Sequence, residues 1–402
     1  MIGHRSAAAR TSEENVTRLT SRQVGAFRLS RHHLAKRAPS SLLTTVVADI
    51  CGAQAQVLSA AQMSIWARLR AARIQQLNAA IWKERTLVRA WGMRRTMFLF
   101  PSDELALYVR GTYRRSAYNL QWARRQVSSG QALDRLLDDT LEILSEPRTR
   151  NDLAIMLESF GYGVESRAGG GWGDRRAVPW VEVGDTSLSV GFLLHVIGAR
   201  DVICSGPSMG NESTFVRADK WLPHWRDVSI EEAERQLLAK YLNAFGPATL
   251  TDFALWAGMY VRDAKEVWAL QSGNMAQVDV DGGAGWILRS DLADFEEAEI
   301  EELGVRLLPF FDSFLLGHKS HRNIVDEKNH KKVYRAQGWV SPVVLVNGVA
   351  QGVWSYAQRK NGLQVRVAPF IRLSSGISSQ IREQALDLGR FLGCPNVKTT
   401  IV

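Results

Sequence analysis

Three patterns along the sequence predict an α+β protein. In the first third of the chain, apolar residues at helical spacing precede a strand-like run, in the order helix, helix, helix, strand. Residues 231–288 have the pattern of a helix, a turn, a second helix and a hairpin, and short strands dominate from residue 305 onward. We therefore predict tandem winged-helix (helix-turn-helix) modules followed by a C-terminal β-rich domain.

Breaks in these patterns divide the 402 residues into five parts. We predict a disordered leader over residues 1–21 and three winged-helix modules over residues 22–130, 131–228 and 229–304. The β-rich domain then covers residues 305–402. A chain of this length with 46% hydrophobic residues can bury a large core.

Positive charge is concentrated at the start of the chain. The first 130 residues hold 21 Lys and Arg against 6 Asp and Glu, a net charge of +15, whereas the whole chain carries +9. This asymmetry favours a polyanionic partner, and nucleic acid is favoured over a membrane because no basic amphipathic anchor is evident. A basic surface that only keeps the protein in solution is the alternative.

Cysteine spacing and hydropathy argue against several other classes. Cys51, Cys204 and Cys394 are far apart and show no ligand spacing, which disfavours structural zinc and a disulfide framework and favours a reducing compartment. No apolar span is long enough to cross a bilayer, and the N-terminus lacks the apolar core of a signal peptide. We predict a cytoplasmic, nucleoid-associated monomer that uses no cofactor.

The first candidate site is the pair Gln54 and Gln56, which interrupts an otherwise apolar run. Gly52 supplies the backbone freedom for a sharp turn before a helix that we predict to begin at Leu58. Residues two apart on a helix point about 200° from each other, so both amides can face one pocket only where the backbone is not yet helical. The alternative is that the amides only cap the start of the helix.

Polar residues on either side of this pair, all but one of them basic, are candidates for contacts with nucleic-acid phosphates. Some lie on a basic helical segment and others begin a run, residues 92–101, that we predict to be a strand. They are Arg31, Lys36, Arg37, Arg94, Arg95 and Thr96. Residues 103–125 then mix aromatic residues with arginines, a composition that suits nucleic acid but also an ordinary amphipathic helix with a basic face.

A second polar cluster follows the first strand of the β-rich domain. His318, Lys319, His321 and Arg322 form a short basic loop, which we predict to face DNA together with the glutamines. Asp312, at the end of the preceding strand, is a candidate to orient one of these cations. The two histidines have a spacing that suits metal ligands, but no third ligand is evident, so we predict no metal site.

Five segments of the sequence together resemble one protein family. They are GAQAQ at residues 52–56, GMRRTMFLFP at 92–101, FGPATLTDFALWAG at 245–258, LLPFFDSFLLGHKSHR at 307–322 and VLVNGVAQGVW at 344–354. From about Phe27 to the C-terminus, the chain resembles the AlkZ/YcaQ-like DNA glycosylases. The resemblance implies tandem winged-helix modules, a C-terminal β domain and a catalytic Gln-x-Gln pair, here Gln54 and Gln56. Family members often carry TLHLV where this chain has TMFLF at residues 96–100.

The chemistry of a glutamine pair limits the substrate. An N7-alkylated guanine is cationic, so its glycosidic bond is already weak and the base leaves without being protonated. Glutamine cannot deprotonate water at neutral pH, but two fixed amides can stabilise the developing sugar cation and hold a water in line. We therefore predict a DNA glycosylase that excises N-alkylated purines from double-stranded DNA, including bulky adducts or interstrand crosslinks.

Two other roles stay open from the sequence. A non-catalytic winged-helix transcriptional regulator would bind one preferred sequence and leave the DNA intact. Self-resistance to a DNA-damaging metabolite is a biological role that a glycosylase could also serve.

Overall fold

The computed structural model describes residues 16–168, 177–298, 304–360 and 362–402. Within these residues, small sheets alternate along the chain with the helices that cover them, which confirms the predicted α+β class. The predicted leader, residues 1–21, falls mainly on residues 1–15, which lie outside the described ranges. Its last residues are ordered, because residues 17–19 form a strand.

The N-terminal segment, residues 16–126, combines short strands with helices. Its elements are β1 Thr17–Leu19, α1 Ser21–Arg31, β2 Ala38–Pro39, α2 Leu43–Asp49, β3 Ala53–Gln54, α3 Leu58–Trp66, β4 Leu69–Arg70, α4 Ile74–Asn78, β5 Leu87–Trp91, β6 Met97–Pro101, α5 Leu105–Gly111 and α6 Tyr113–Gln126. β6 lies between β3 and β5 and pairs antiparallel with both. The strand predicted over residues 92–101 starts later, because residues 93–95 form a tight helical turn in which Arg94 and Arg95 have positive φ angles.

The second segment, residues 130–221, packs helices against an antiparallel sheet. Its elements are α7 Gly130–Ile143, α8 Arg150–Ser159, β7 Val164–Ala168, β8 Ala177–Val183, β9 Thr186–Ser189, α9 Val190–Ile197, β10 Ile203–Met209, β11 Glu212–Arg217 and α10 Ala218–Trp221. β7, β8 and β9 form the sheet, and β10 and β11 form a hairpin. α8 begins with a capping box, in which Thr149 and Asp152 exchange hydrogen bonds between side chain and backbone.

The third segment, residues 230–296, has the predicted order of helix, turn, helix and hairpin. Its elements are α11 Ile230–Phe245, α12 Leu250–Ala257, α13 Val261–Ala269, β12 Met275–Val280, β13 Gly283–Leu288 and α14 Leu292–Glu296. β1 joins this hairpin from the start of the chain, in parallel with β12. Gly258 ends α12 with a φ of 75°, and a Cβ at this position would lie 2.7 Å from the backbone of Arg94. Only glycine therefore allows α12 to pack this closely on the turn at residues 93–95.

The C-terminal segment, residues 305–402, is built around one sheet. Its elements are β14 Val305–Leu308, α15 His330–Val333, β15 Val343–Val346, β16 Val349–Arg359, β17 Gly362–Pro369, α16 Ser375–Leu392 and β18 Val397–Ile401. The strands lie in sequence order, antiparallel except for the parallel pair β17 and β18. Asn347 and Gly348, both with positive φ, form the tight turn between β15 and β16. No helix in the described ranges is long and apolar enough to cross a membrane.

One apolar core joins the N-terminal segment to the C-terminal sheet. It contains buried residues of α2, α3, β14, β15, β17 and α16, and Trp66 packs against Phe391 with ring centroids 6.2 Å apart. The two ends of the chain therefore fold around shared apolar surface, which is the main source of stability for such an arrangement.

A buried ion pair crosses the boundary between these two segments. Arg68 and Asp312 are both 0% exposed, and each of two guanidinium nitrogens lies 2.8 Å from a carboxylate oxygen. Ser64 also donates its hydroxyl to Asp312, at 2.7 Å. The hydroxyl of Ser313 donates to the carbonyl oxygen of Gly52 at 2.8 Å. The C-terminal segment thus holds the turn that carries the glutamine pair.

These contacts correct the prediction made for Asp312. We expected its carboxylate to orient a cation of the loop at residues 318–322, but the carboxylate binds Arg68 and Ser64 and also accepts the backbone N–H of Phe314. A fully buried carboxylate needs a fixed counter-charge close by, and Arg68 provides it.

Candidate active site

Gln54 ends β3, and Arg94 holds the tip of its side chain. The side chain is buried, with 8% of the residue exposed, and its Oε1 accepts a hydrogen bond from Nη2 of Arg94 at 2.8 Å. Nη1 of the same guanidinium donates to the carbonyl oxygen of Trp256 at 2.8 Å, so Arg94 joins β3 to the end of α12. A guanidinium offers only donors, so the amide must present its oxygen to Arg94 and turn its Nε2 elsewhere.

Gln56 lies in the extended turn between β3 and α3, and its side chain is exposed. Its Oε1 accepts a hydrogen bond from the backbone N–H of Met97, on β6, at 3.3 Å. The backbone at both glutamines is non-helical, as predicted. Neither amide caps α3, because the N-cap residue is Val57 and no side chain caps this helix. The structure thus disagrees with the alternative that the pair serves only as a helix cap.

Gln56 lines a cleft of about 470 Å³ between the N-terminal and second segments. Trp91 forms part of the wall, with its ring stacked 5.1 Å from that of Phe215. The wall also includes Arg89, Met97, Asn151, Ser205 and Glu212. The hydroxyl of Ser205 is buried and has no hydrogen-bond partner among the described residues. A polar group that enters the cleft can satisfy this hydroxyl, as buried polar atoms require.

The titratable groups nearest the glutamines keep one charge state at neutral pH. Burial lowers the pKa of Arg94 to about 10, so its guanidinium remains protonated. His195 packs against Trp91 at 4.5 Å, and burial, with repulsion from Arg95 and Arg150, lowers its pKa to about 4. The two amides, the guanidinium of Arg94 and the imidazole of His195 include no general base poised near pH 7. The wall of the cleft also carries Glu212, whose carboxylate accepts hydrogen bonds from Nδ2 of Asn151 at 2.9 and 3.2 Å.

Two of the predicted DNA contacts form ion pairs with carboxylates of the protein. Arg31 pairs with Asp291 at 3.0 Å and with Asp294 at 2.6 Å. Arg37 pairs with Asp387 of α16 at 2.6 Å and is largely buried. For Arg37 the prediction of a DNA contact is wrong, whereas Arg31 keeps 30% of its side chain exposed beside its acidic partners and its contact with DNA stays a prediction. These acidic partners belong to distant parts of the chain, which sequence spacing cannot reveal.

The other predicted basic contacts keep at least part of their surface. Lys36, Lys319 and Arg322 are exposed, and Arg95 is half-buried. Thr96 is also half-buried and donates its hydroxyl to the carbonyl oxygen of Met93 at 3.1 Å. For these residues a contact with DNA stays a prediction.

The two histidines of the basic loop are turned into the protein. His318 packs edge-on against Phe245, and burial lowers its pKa to about 3. His321 stacks on Tyr334 at 3.7 Å with its Nδ1 3.2 Å from Nε2 of His330, and burial together with that neighbour lowers its pKa to about 4. Both rings are neutral at pH 7, so they do not supply the predicted cations. The described residues contain no group of three or more His, Cys, Asp or Glu that could hold a metal ion.

Sequence analysis missed the role of Arg94 and most of the cleft. We predicted Arg94 as a phosphate contact, but its guanidinium is buried against Gln54 and Trp256. The cleft residues Ser205 and Glu212 come from a hairpin about 150 residues beyond the glutamines. The local signal was the pair Arg94-Arg95 shortly after Gly92, which marks an irregular turn without showing which arginine turns inward.

Comparison with known proteins places this fold among the DNA glycosylases. The structure of the DNA glycosylase AlkZ of Streptomyces sahachiroi matches with a TM-score of 0.78 and 26% identity, over 96% of this chain and 100% of that chain. The interstrand DNA cross-link repair glycosylase of the same organism is 28% identical over 391 residues, which are 95% of this chain and 99% of that protein. The family described as DNA glycosylase AlkZ-like matches residues 47–391. The chain therefore belongs to the AlkZ-like DNA glycosylase family, as its sequence segments predicted.

Proposed function

We propose that this DNA glycosylase hydrolyses the N-glycosidic bond of N-alkylated purines in double-stranded DNA, with Gln54 and Gln56 as its catalytic residues. The observation that carries the proposal is the fixing of both amides by separate protein donors, with Gln56 exposed in a cleft. A cleft of this size supports lesions larger than a methylated base. The relative named for interstrand cross-link repair supports bulky adducts and crosslinks as substrates.

The two amides have different surroundings, which supports a division of roles. Oε1 of Gln54 faces the Arg94 cation, so this oxygen is poorly placed to stabilise a second cation on the sugar. Oε1 of Gln56 receives one weak hydrogen bond and keeps a second lone pair for the substrate side. We assign Gln56 to the sugar cation and the attacking water. We assign two roles to Gln54: its Nε2 donates a hydrogen bond within the site, and its bond to Arg94 fixes the turn.

The reaction then needs no proton from the protein. The C1′–N9 bond breaks as the cationic N7-alkylguanine leaves as a neutral base, and the positive charge moves to the sugar. Water held at Gln56 adds to C1′, and its proton passes to solvent because an amide cannot accept it. The products are a free alkylated purine and an abasic site.

We also propose an architecture and a cellular location for the protein. We propose that residues 22–130, 131–228 and 229–304 form winged-helix modules ahead of the β-rich domain at residues 305–402. The helix, turn, helix and hairpin order of the third segment supports this. A monomer acting on DNA in the cytoplasm, at the nucleoid, fits a substrate that is the chromosome.

One assay tests the proposed function directly. Excess protein is mixed with a duplex containing a single N7-methylguanine, and abasic sites are revealed by alkaline cleavage. Excision by the wild type supports the proposal. The regulator alternative has no support among the relatives, and it would require sequence-selective binding with no abasic sites on any alkylated duplex.

Arg94→Ala is expected to lower single-turnover excision by roughly 10-fold to 10²-fold, with less change in DNA affinity, because Gln54 loses the donor that fixes its amide. Arg94→Lys should recover part of the rate. If Arg94 acts through Gln54, the double variant Arg94→Ala with Gln54→Ala will excise the base no more slowly than Gln54→Ala alone. Fully additive losses would contradict this role.

The excision rate is expected to stay constant from about pH 6 to about pH 9, because neither glutamine titrates and Arg94 stays protonated. A bell-shaped profile within this range would point to a general acid or base and against the amide mechanism. Unfolding must be followed in parallel. His195 has a lowered pKa in the folded protein, so its contribution to stability is complete above pH 6.5 and is lost as the pH falls toward 4.

A further inference from the structure

Two arginines converge beside the turn that holds Gln54. Arg95 follows Arg94 on this turn, and Arg115 lies on α6. Both line a cavity of about 50 Å³, together with Ser116 and Asn119. Both also line the open surface that continues along α6, and burial and repulsion from Arg115 lower the pKa of Arg95.

Neither arginine of this pair has a carboxylate partner among the described residues. The contrast within α6 is clear, because Arg114 pairs with Glu234 and Glu266, and Arg124 pairs with Asp134. Arg115 instead lies over the ring of Tyr260, 5.4 Å from its centroid. Two like charges held together without an anion are unfavourable, so the protein alone does not explain their placement.

The backbone at this point is also unfavourable for the residues present. Arg94 and Arg95 have φ angles of 56° and 59°, the left-handed region that non-glycine residues rarely adopt, and Gly258 packs directly on Arg94. This conformation sends the two neighbouring side chains in different directions. Arg94 turns inward to Gln54, and Arg95 faces the cavity. An anion at Arg95 would lie one residue from the group that orients Gln54.

An open basic surface continues from this cavity along α6, and the depression in it has a volume of about 700 Å³. Positions 115, 118, 119, 122 and 125 lie on one face of the helix, as spacings of three and four residues require. The surface combines arginines with aromatic rings, namely Arg95, Arg115, Arg125, Arg262, Tyr118, Trp122 and Tyr260. Trp122 is 50% exposed and Tyr260 is 51% exposed. Cations for phosphates beside flat rings for sugars and bases are the combination that tracks a nucleic-acid strand.

We propose that Arg95 and Arg115 bind one backbone phosphate of the strand that carries the lesion, and that the α6 face guides this strand away from the glutamines. The ligand is a phosphodiester, which guanidinium groups recognise through charge-assisted, often bidentate hydrogen bonds. This inference rests on the proposed function. The bound phosphate sets the register of the strand, so that the sugar of the damaged nucleotide meets Gln56.

The test is a phosphate scan. Duplexes containing one N7-methylguanine carry a single neutral methylphosphonate at successive positions on the lesion strand, and binding is measured by fluorescence anisotropy. With wild type, one position near the lesion should weaken binding about 10-fold. Arg115→Ala should weaken binding of the unmodified duplex, and it should be less sensitive than wild type to methylphosphonate at that position because only Arg95 still contacts the phosphate. Arg115→Lys should restore part of the affinity.

Arg124→Ala is the matched control, because it removes one positive charge from the same helix at a residue already paired with Asp134. It should keep the wild-type pattern of the scan, and circular dichroism should show that all variants are folded. The site is refuted if the methylphosphonate and Arg115→Ala losses simply add at every position. Tight, saturable binding of inorganic phosphate alone, with no sensitive position in the scan, would assign the cavity to a small phosphorylated ligand instead and also overturn the proposal.

Binding and excision are measured separately, so the two proposals can fail independently. Excision of N7-methylguanine without any sensitive phosphate would remove the phosphate site and leave the function intact. The opposite outcome is a protein that shows the phosphate site in the scan but excises no alkylated base. It would support the DNA-binding site and contradict the proposed glycosylase substrate.

Discussion

Replacing Gln56 with alanine is expected to lower single-turnover excision of N7-methylguanine by roughly 10² or more, while DNA affinity and folding stay nearly unchanged. The side chain is exposed and receives one long hydrogen bond, so little stability depends on it. Its removal takes away the group assigned to the sugar cation and the attacking water. Gln54→Ala should slow excision on the same scale, with an added loss of stability because the buried Arg94 loses a partner.

Gln56→Asp separates the effect of the polar group on the excision rate from the effect of side-chain size at this position. The aspartate keeps an acceptor oxygen and adds a negative charge, which stabilises a sugar cation better than an amide does, so measurable excision should remain. Gln75→Ala, at an exposed glutamine of α4, is the matched control and should match wild type. Wild-type rates in all of the Gln54 and Gln56 variants would show that the catalytic assignment is wrong.

Asp312→Ala is expected to lower the free energy of unfolding by about 3–5 kcal/mol, because it leaves Arg68 buried without a counter-charge. Urea unfolding monitored by circular dichroism measures the change, provided that the slope with denaturant is the same for both proteins. The double replacement Arg68→Met with Asp312→Leu should regain much of the loss, since a buried pair can often be exchanged for apolar residues of similar volume.

The control for this prediction is an exposed ion pair in the same protein. Asp227 pairs with Arg110 at 3.0 Å, and its side chain is half exposed. Asp227→Ala should therefore cost about 1 kcal/mol or less. A loss for Asp312→Ala no larger than that of the control would mean that water or another group replaces the missing carboxylate.

Local signals in the sequence predicted the elements that depend on short-range chemistry. Gly52 and the spacing of Gln54 and Gln56 indicated a non-helical turn before a helix, and the structure has that turn. The helix, turn and helix of the third segment were equally predictable from the sequence, because Thr249 and Asp252 form a capping box within three residues. Such signals act between neighbours, so one sequence is enough to detect them.

Pairings between distant residues could not be predicted in the same way. Arg37 was predicted to contact DNA and Asp312 to orient a cation of the basic loop, yet their partners are Asp387 and Arg68, far away along the chain. The short strand before residue 21 was also missed, because its partner β12 begins about 260 residues later. In each of these cases the partner is set by how whole segments pack, which local composition does not encode.

The pairing of β1 with β12, and the hold of Ser313 on Gly52, bear on the order in which a ribosome makes this protein. β1 cannot pair fully with β12 until residue 280 has been synthesised. The turn that carries Gln54 and Gln56 lacks the support of Ser313 until that residue has also left the exit tunnel. A nascent chain that stops short of this point exposes its most basic part while the turn of Gln54 and Gln56 is still unsupported. Synthesis past residue 313 is therefore the step that gives the basic N-terminal segment a supported glutamine turn.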